Sequence, residues 1–195
     1  MAPKALPAWA WNRLRPTMDE LGSLGFKESR FQMPEESLLP NIYGVSVTLH
    51  HAGGDCFALV LIGVGVGNGP PIEERSTTFL TPLAPGYSLY TSNGRRRFDP
   101  LPGNRGSRHP GMPVAELHAC HLRSLAELRT RRKIPRVSTP GEVREHQAAS
   151  ARRFNEWMLS RGVWELMTDA EVALLREKIS KRPVPPLPPE FPASH

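Results

Sequence analysis

The apolar residues of this chain change rhythm along its length. From Tyr43 to Leu49 they alternate. Tyr43, Val45, Val47 and Leu49 fall on one side and Ser46, Thr48 and His50 on the other, which is the period of a half-buried strand. The run Phe57-Ala58-Leu59-Val60-Leu61-Ile62 is instead continuous, as expected of a central strand covered on both faces. It sits in a strand expected over Cys56–Val66, whose end, Gly63-Val64-Gly65-Val66-Gly67, leaves room for a close approach. Between the two strands, His51-Ala52-Gly53-Gly54-Asp55 predicts a turn. Arg75–Thr81 and Tyr87–Asn93 predict a second hairpin across Pro82–Gly86, with Tyr87, Leu89 and Thr91 alternating against Ser88, Tyr90 and Ser92. Lys27–Met33 alternates weakly and suits an edge strand, with Phe31 and Met33 on one side and Arg30 and Gln32 on the other.

Helical spacing appears at both ends of this block. Thr17 can cap a short helix that carries Leu21 and Leu24, with acids in its first turn and a stop at Gly25. After Pro113, the residues Val114, Leu117, His121, Leu125 and Leu128 recur every three or four positions. Thr139-Pro140-Gly141-Glu142 and Thr168-Asp169-Ala170-Glu171 are capping boxes that predict two further helix starts. The first of these leads a stripe of Val143, Ala151, Phe154, Trp157 and Met158.

Strands and helices are therefore segregated along the chain. The expected fold is α+β: an antiparallel sheet of four to five strands over about 27–93, helices packed on one face, and a polar second face bearing Ser46, Thr48, Ser88, Tyr90 and Ser92. Residues 1–16 are expected as a flexible arm and 17–180 as one domain. Within the domain, 94–112 is a basic loop and 113–180 is helical. Residues 181–195 form a disordered proline-rich tail.

Composition supports this division. The 195 residues include 21 prolines, about twice the usual share, and six of them lie in the last fifteen residues. The longest apolar run is far short of the roughly 20 residues of a membrane span. The first residues lack the apolar core of a secretory signal. Two cysteines, Cys56 and Cys120, form no disulfide framework and suit a reducing compartment, so a soluble cytoplasmic protein is expected.

Charge adds a candidate surface. The chain is +6, but Arg95 to Arg136 alone holds eleven Lys/Arg against Asp99, Glu116 and Glu127, so the remainder is slightly acidic. Such a patch attracts phosphates or acidic proteins. Arg95, Arg96, Arg97, Arg105 and Arg108, with Tyr90 as a stacking partner, are the candidate residues for a nucleic acid or another anion. A solvated basic surface is the reading the same residues favour, because charge runs usually face water.

Other candidates are local. Arg182, Pro185 and Pro188 have a spacing that resembles ligands of SH3 domains, and Pro185-Pro186-Leu187-Pro188 resembles a WW-domain ligand, so a protein partner is implied through a preformed polyproline II segment. Gly54-Asp55-Cys56 resembles the approach to the nucleophile in NlpC/P60-type cysteine peptidases, which implies a cysteine-dependent hydrolase. That family continues into serine, glycine and a helix, whereas Phe57-Ala58-Leu59-Val60 reads as a strand, so a buried strand cysteine is the reading taken. In His118-Ala119-Cys120-His121, a helix puts the two histidines one turn apart and turns the cysteine away, which makes a core histidine the expectation for His121. The sequence thus assigns no catalytic residue, metal or cofactor. Its reading is a non-enzymatic interaction or adaptor domain, with nucleic-acid or phosphate-ligand binding as the alternative.

Overall fold

The computed structural model describes residue 6 and residues 8–32, 42–65, 72–95, 101–131, 133–134, 139–163 and 165–180. The chain runs α1 (Ala8–Ser23), β1 (Phe26–Gln32), β2 (Ile42–His51), β3 (Phe57–Gly65), β4 (Ile72–Ala84), β5 (Tyr87–Ser92), β6 (Arg105–Arg108), α2 (Val114–Arg129), α3 (Pro140–Ser160) and α4 (Asp169–Ser180). The strands form one sheet in sequence order. The first five are joined antiparallel, and β6 returns parallel to β5. The α+β class holds, and none of the described helices is long and apolar enough to cross a membrane.

The sheet has six strands rather than four to five. The extra one, β6, lies inside the segment read as a loop over 94–112. Its four residues, Arg-Gly-Ser-Arg, carry no apolar signal, and it is held by its neighbour. A Cβ at Gly106 would collide with the Tyr90 carbonyl and lie 2.6 Å from its ring, so only glycine fits this close approach. Two asparagines finish the ladder. Asn93 Oδ1 accepts from the Thr77 N–H at 2.7 Å, and Asn104 Oδ1 accepts from the Ser88 N–H at 3.0 Å.

Alternation fixes the two faces of the sheet. On the first, Val45, Val47 and Leu49 oppose Ile62, Val60 and Ala58, and Ala58 opposes Phe79; all are buried. The helix α1 closes this face with Ala10, Leu14, Thr17 and Leu21, and α2 with Val114 and Leu117. Full burial of each leucine contributes about 1.5–3 kcal/mol. The expected arm over 1–16 is thus a helix from Ala8 onward, running through Pro16. An interior proline costs about 3 kcal/mol. The exposed Pro16 is tolerated because the buried stripe on the opposite side of the helix outweighs it. Glu20 of α1 accepts from the Ala115 N–H at 3.1 Å, supplying the cap that Pro113 cannot give α2.

The helices are not confined to one face. On the second face, α3 packs Val143 against Phe57 and Leu80. Its capping box forms as expected, with Thr139 Oγ1 accepting from the Glu142 N–H and the Glu142 carboxylate accepting from the Thr139 N–H. The turn between β2 and β3 also forms as expected, with Gly54 at φ 68° and its N–H bonded to the His51 carbonyl at 2.9 Å.

Candidate functional site

Three regions concentrate polar chemistry: a buried histidine layer, a cleft at the β4–β5 turn, and the part of the second sheet face that α3 leaves open.

The histidine layer lies between the first face and α2. His121 is fully buried, with Nε2 at 2.9 Å from Thr81 Oγ1 and Nδ1 at 3.0 Å from Thr91 Oγ1. Thr81 has one proton, and it donates that proton to the Asp55 carbonyl at 2.7 Å. Thr81 therefore accepts from His121 Nε2–H, which leaves Nδ1 to accept from Thr91. The network is satisfied by a neutral imidazole. Burial, assisted by nearby His118, pushes the His121 pKa down to about 3. His121 is thus the core histidine its spacing predicted.

His118 sits one turn earlier, its ring centroid 5.2 Å from that of Phe26 and 5.0 Å from that of Phe79, with Nε2 3.9 Å from Cys56 Sγ. Burial and His51 hold it below its ordinary pKa, against the pull of Asp55. Cys56 is itself buried, and burial together with Asp55 pushes its thiol up to about 12, against a lesser opposing pull from Arg129. A thiol at that value is protonated near neutrality, so little of the nucleophilic thiolate is present. The Asp55 carboxylate is held by Arg129 at 2.7 Å, with His51 Nδ1 at 3.9 Å. Among the described residues, no group of three or more His, Cys, Asp or Glu is placed to hold a metal ion. The layer is a polar fastening between sheet and helix.

The cleft, about 400 Å³, is lined by Leu83, Ala84, Tyr87, Gly103, Asn104 and Arg105. Arg153 of α3 stacks its guanidinium 3.4 Å from the centroid of the Tyr87 ring and donates to the carbonyls of Gly86 and Pro102. Nearby, His146 Nε2 lies 2.8 Å from Ser88 Oγ, and burial with Arg153 lowers its pKa. Arg153 thereby spends its donors on backbone and ties α3 to the turn.

The open part of the second face is read from the register. One row crosses all six strands: Arg30, Thr48, Leu59, Thr78, Ser92 and Arg108. Directly opposed residues share a face. Thr48 receives Gln147 of α3 at 3.2 Å, so the helix reaches this row from below. Beyond it lie Ser46, Leu61 and Ser76 in the next row. Leu61 is 44% exposed and Leu59 half-buried, in a strand that the sequence reads as covered on both sides. Arg30 is exposed at one end, Arg108 is half-buried at the other, and Arg95 is exposed just past β5.

The predicted basic patch is divided by this geometry. Arg105 opposes Leu89 and Arg108 opposes Ser92, so the two arginines of β6 stand on opposite faces. Tyr90 is half-buried and packed over Gly106. Arg96 and Arg97 lie outside the described residues, as do Arg182, Pro185 and Pro188 of the tail. The sequence reading missed Arg30 as a partner of Arg108. Strand order carries that pairing, and no local motif does. Comparisons with protein-family models, with curated proteins and with solved structures return no match.

Proposed function

We propose that this protein is a non-enzymatic docking module, and that the open part of its second sheet face receives an acidic, apolar segment of a protein partner. The observation that carries the reading is the row from Arg30 to Arg108. It places Arg30 and Arg108 at the two ends of a row that holds half-buried Leu59 and borders Leu61, which is 44% exposed. Aliphatic side chains with arginines at the rim suit a protein interface. Base stacking would call for exposed aromatics, and this strip offers Leu59, Leu61, Ser46 and Ser76 instead. The titratable core groups support the non-enzymatic side of the reading, since Cys56, His118 and His121 are buried in their neutral forms.

A photoreactive benzoylphenylalanine placed at position 61 tests this in cells that produce the protein naturally. The expected result is a discrete protein adduct from position 61 and none from position 126, an exposed site on α2. Equal adduct patterns from both positions would refute the docking surface.

A further inference from the structure

We infer that the open strip is occupied by the α4 region of a second copy of this chain. The inference rests on the docking reading above and names its occupant.

The region that follows α3 has the opposite character to the strip. Leu166 is 83% exposed, Met167 48% and Leu174 57%, an apolar series around the start of α4. Glu165, Asp169 and Glu171 share this stretch, with no basic residue from Glu165 to Leu175. Thr168 caps α4 through Glu171, so the acids are presented from a formed first turn. Exposed leucine and methionine beside carboxylates complement exposed Leu61 and the arginine-ended row next to it in both hydrophobicity and charge.

The path of α3 argues for a second copy rather than the same chain. Val143 lies over Phe57 and Leu80, and Arg153 already reaches the β4–β5 turn at Gly86. At about 1.5 Å per residue, Ser160 lies on the order of 10 Å further along the helix axis. The open strip is at the other end of the strands, beyond the row of Leu59 and Thr78. Helix α3 thus carries the chain away from its own strip before the α4 region begins. An exchange of α4 between two copies satisfies both strips at once, in a closed twofold arrangement.

Sedimentation of the full chain over a range of concentrations, together with site-directed cross-linking, tests this. A reversible dimer is expected. Leu166→Asp with Met167→Asp should raise its dissociation constant at least tenfold, as should Arg30→Glu with Arg108→Glu. Adding Glu165→Lys and Asp169→Lys to the arginine reversals should restore much of the loss. In a Cys120→Ser background, Leu61→Cys and Met167→Cys should form a disulfide between chains, identified with a mixture of isotopically light and heavy protein. A monomer at every concentration, a dimer indifferent to Leu166 and Met167, or a 61–167 bond within one chain would each overturn the inference. The docking reading is judged separately. If a monomer still cross-links a different protein from position 61, the strip is a docking surface with another occupant. If position 61 gives no adduct at all, both readings fail.

Discussion

Arg30 and Arg108 stand at the two ends of one cross-strand row, although 78 positions separate them in the chain. Four intervening partners, Thr48, Leu59, Thr78 and Ser92, link them through five successive strand pairings. The row also marks where the cover given by α3 ends, at the bond from Gln147 to Thr48. The sheet is thereby both a core element on its first face and an unfinished surface on its second.

Three buried histidines, two in the layer under α2 and one on α3, make the fold acid-sensitive. His118, His121 and His146 all have native pKa values below the ordinary 6.5, so the unfolded chain binds protons that the native one refuses. Their contribution is fully present above pH 6.5 and is lost as pH falls from there toward the depressed values, which for His121 is about 3. Each histidine held neutral contributes a slope of about 1.4 kcal/mol per pH unit in that window. Urea midpoints should therefore fall between pH 7.5 and pH 5. A midpoint constant over that range would show that the three rings are not held neutral.

The two thiols should differ sharply in reactivity. Cys56 is buried with its pKa pushed up to about 12, whereas Cys120 is half-exposed with Arg123 Nη2 3.0 Å from its sulfur. Iodoacetamide at pH 8 should alkylate Cys120 in the native protein, and Cys56 only after unfolding, as read by peptide mass spectrometry. Comparable native labelling of both would reopen the hydrolase reading. Because the native thiol value is raised, its contribution to stability is full below the ordinary value of 9.0 and is lost as pH rises from there toward about 12.

Much of the fold is legible in the sequence where one local signal decides it. Val45, Val47 and Leu49 alternate because one face is buried, and Thr139 and Thr168 cap because acids stand three residues on. The failures have physical causes. Pro16 reads as a break, yet Ala10, Leu14, Thr17 and Leu21 keep helical spacing straight through it. The sequence Arg105-Gly106-Ser107-Arg108 has no strand propensity and pairs because Tyr90 and Gly106 fit. The continuous run at Phe57–Ile62 predicts two covered faces, while α3 runs off past the β4–β5 turn and covers only part of one. The open strip is invisible locally because its residues come from different strands.

Leu14→Ala tests whether the first helix belongs to the core. Leu14 is fully buried against the first sheet face, so the substitution should cost about 2–5 kcal/mol in denaturant unfolding. A cost below about 0.5 kcal/mol would return residues 8–16 to the status of a loose arm.

The two capping threonines should separate the packed helix from the unpacked one. Thr139→Ala removes a reciprocal cap on a helix that buries Val143 and His146, and should lower global stability by about 1 kcal/mol. Thr168→Ala removes an equivalent cap on α4, and should reduce helicity by circular dichroism while leaving the monomer's unfolding midpoint unchanged. Equal effects on the midpoint would mean that α4 is part of the same cooperative unit.

The docking claim is tested most directly by the yield of the position-61 photo-adduct in two backgrounds, the natural sequence and Arg30→Glu with Arg108→Glu, at matched expression and matched far-ultraviolet spectra. The expected result is a drop of tenfold or more on reversing the two charges that frame the strip. An unchanged yield would contradict the account, because it would separate whatever meets Leu61 from the arginine row that defines the surface.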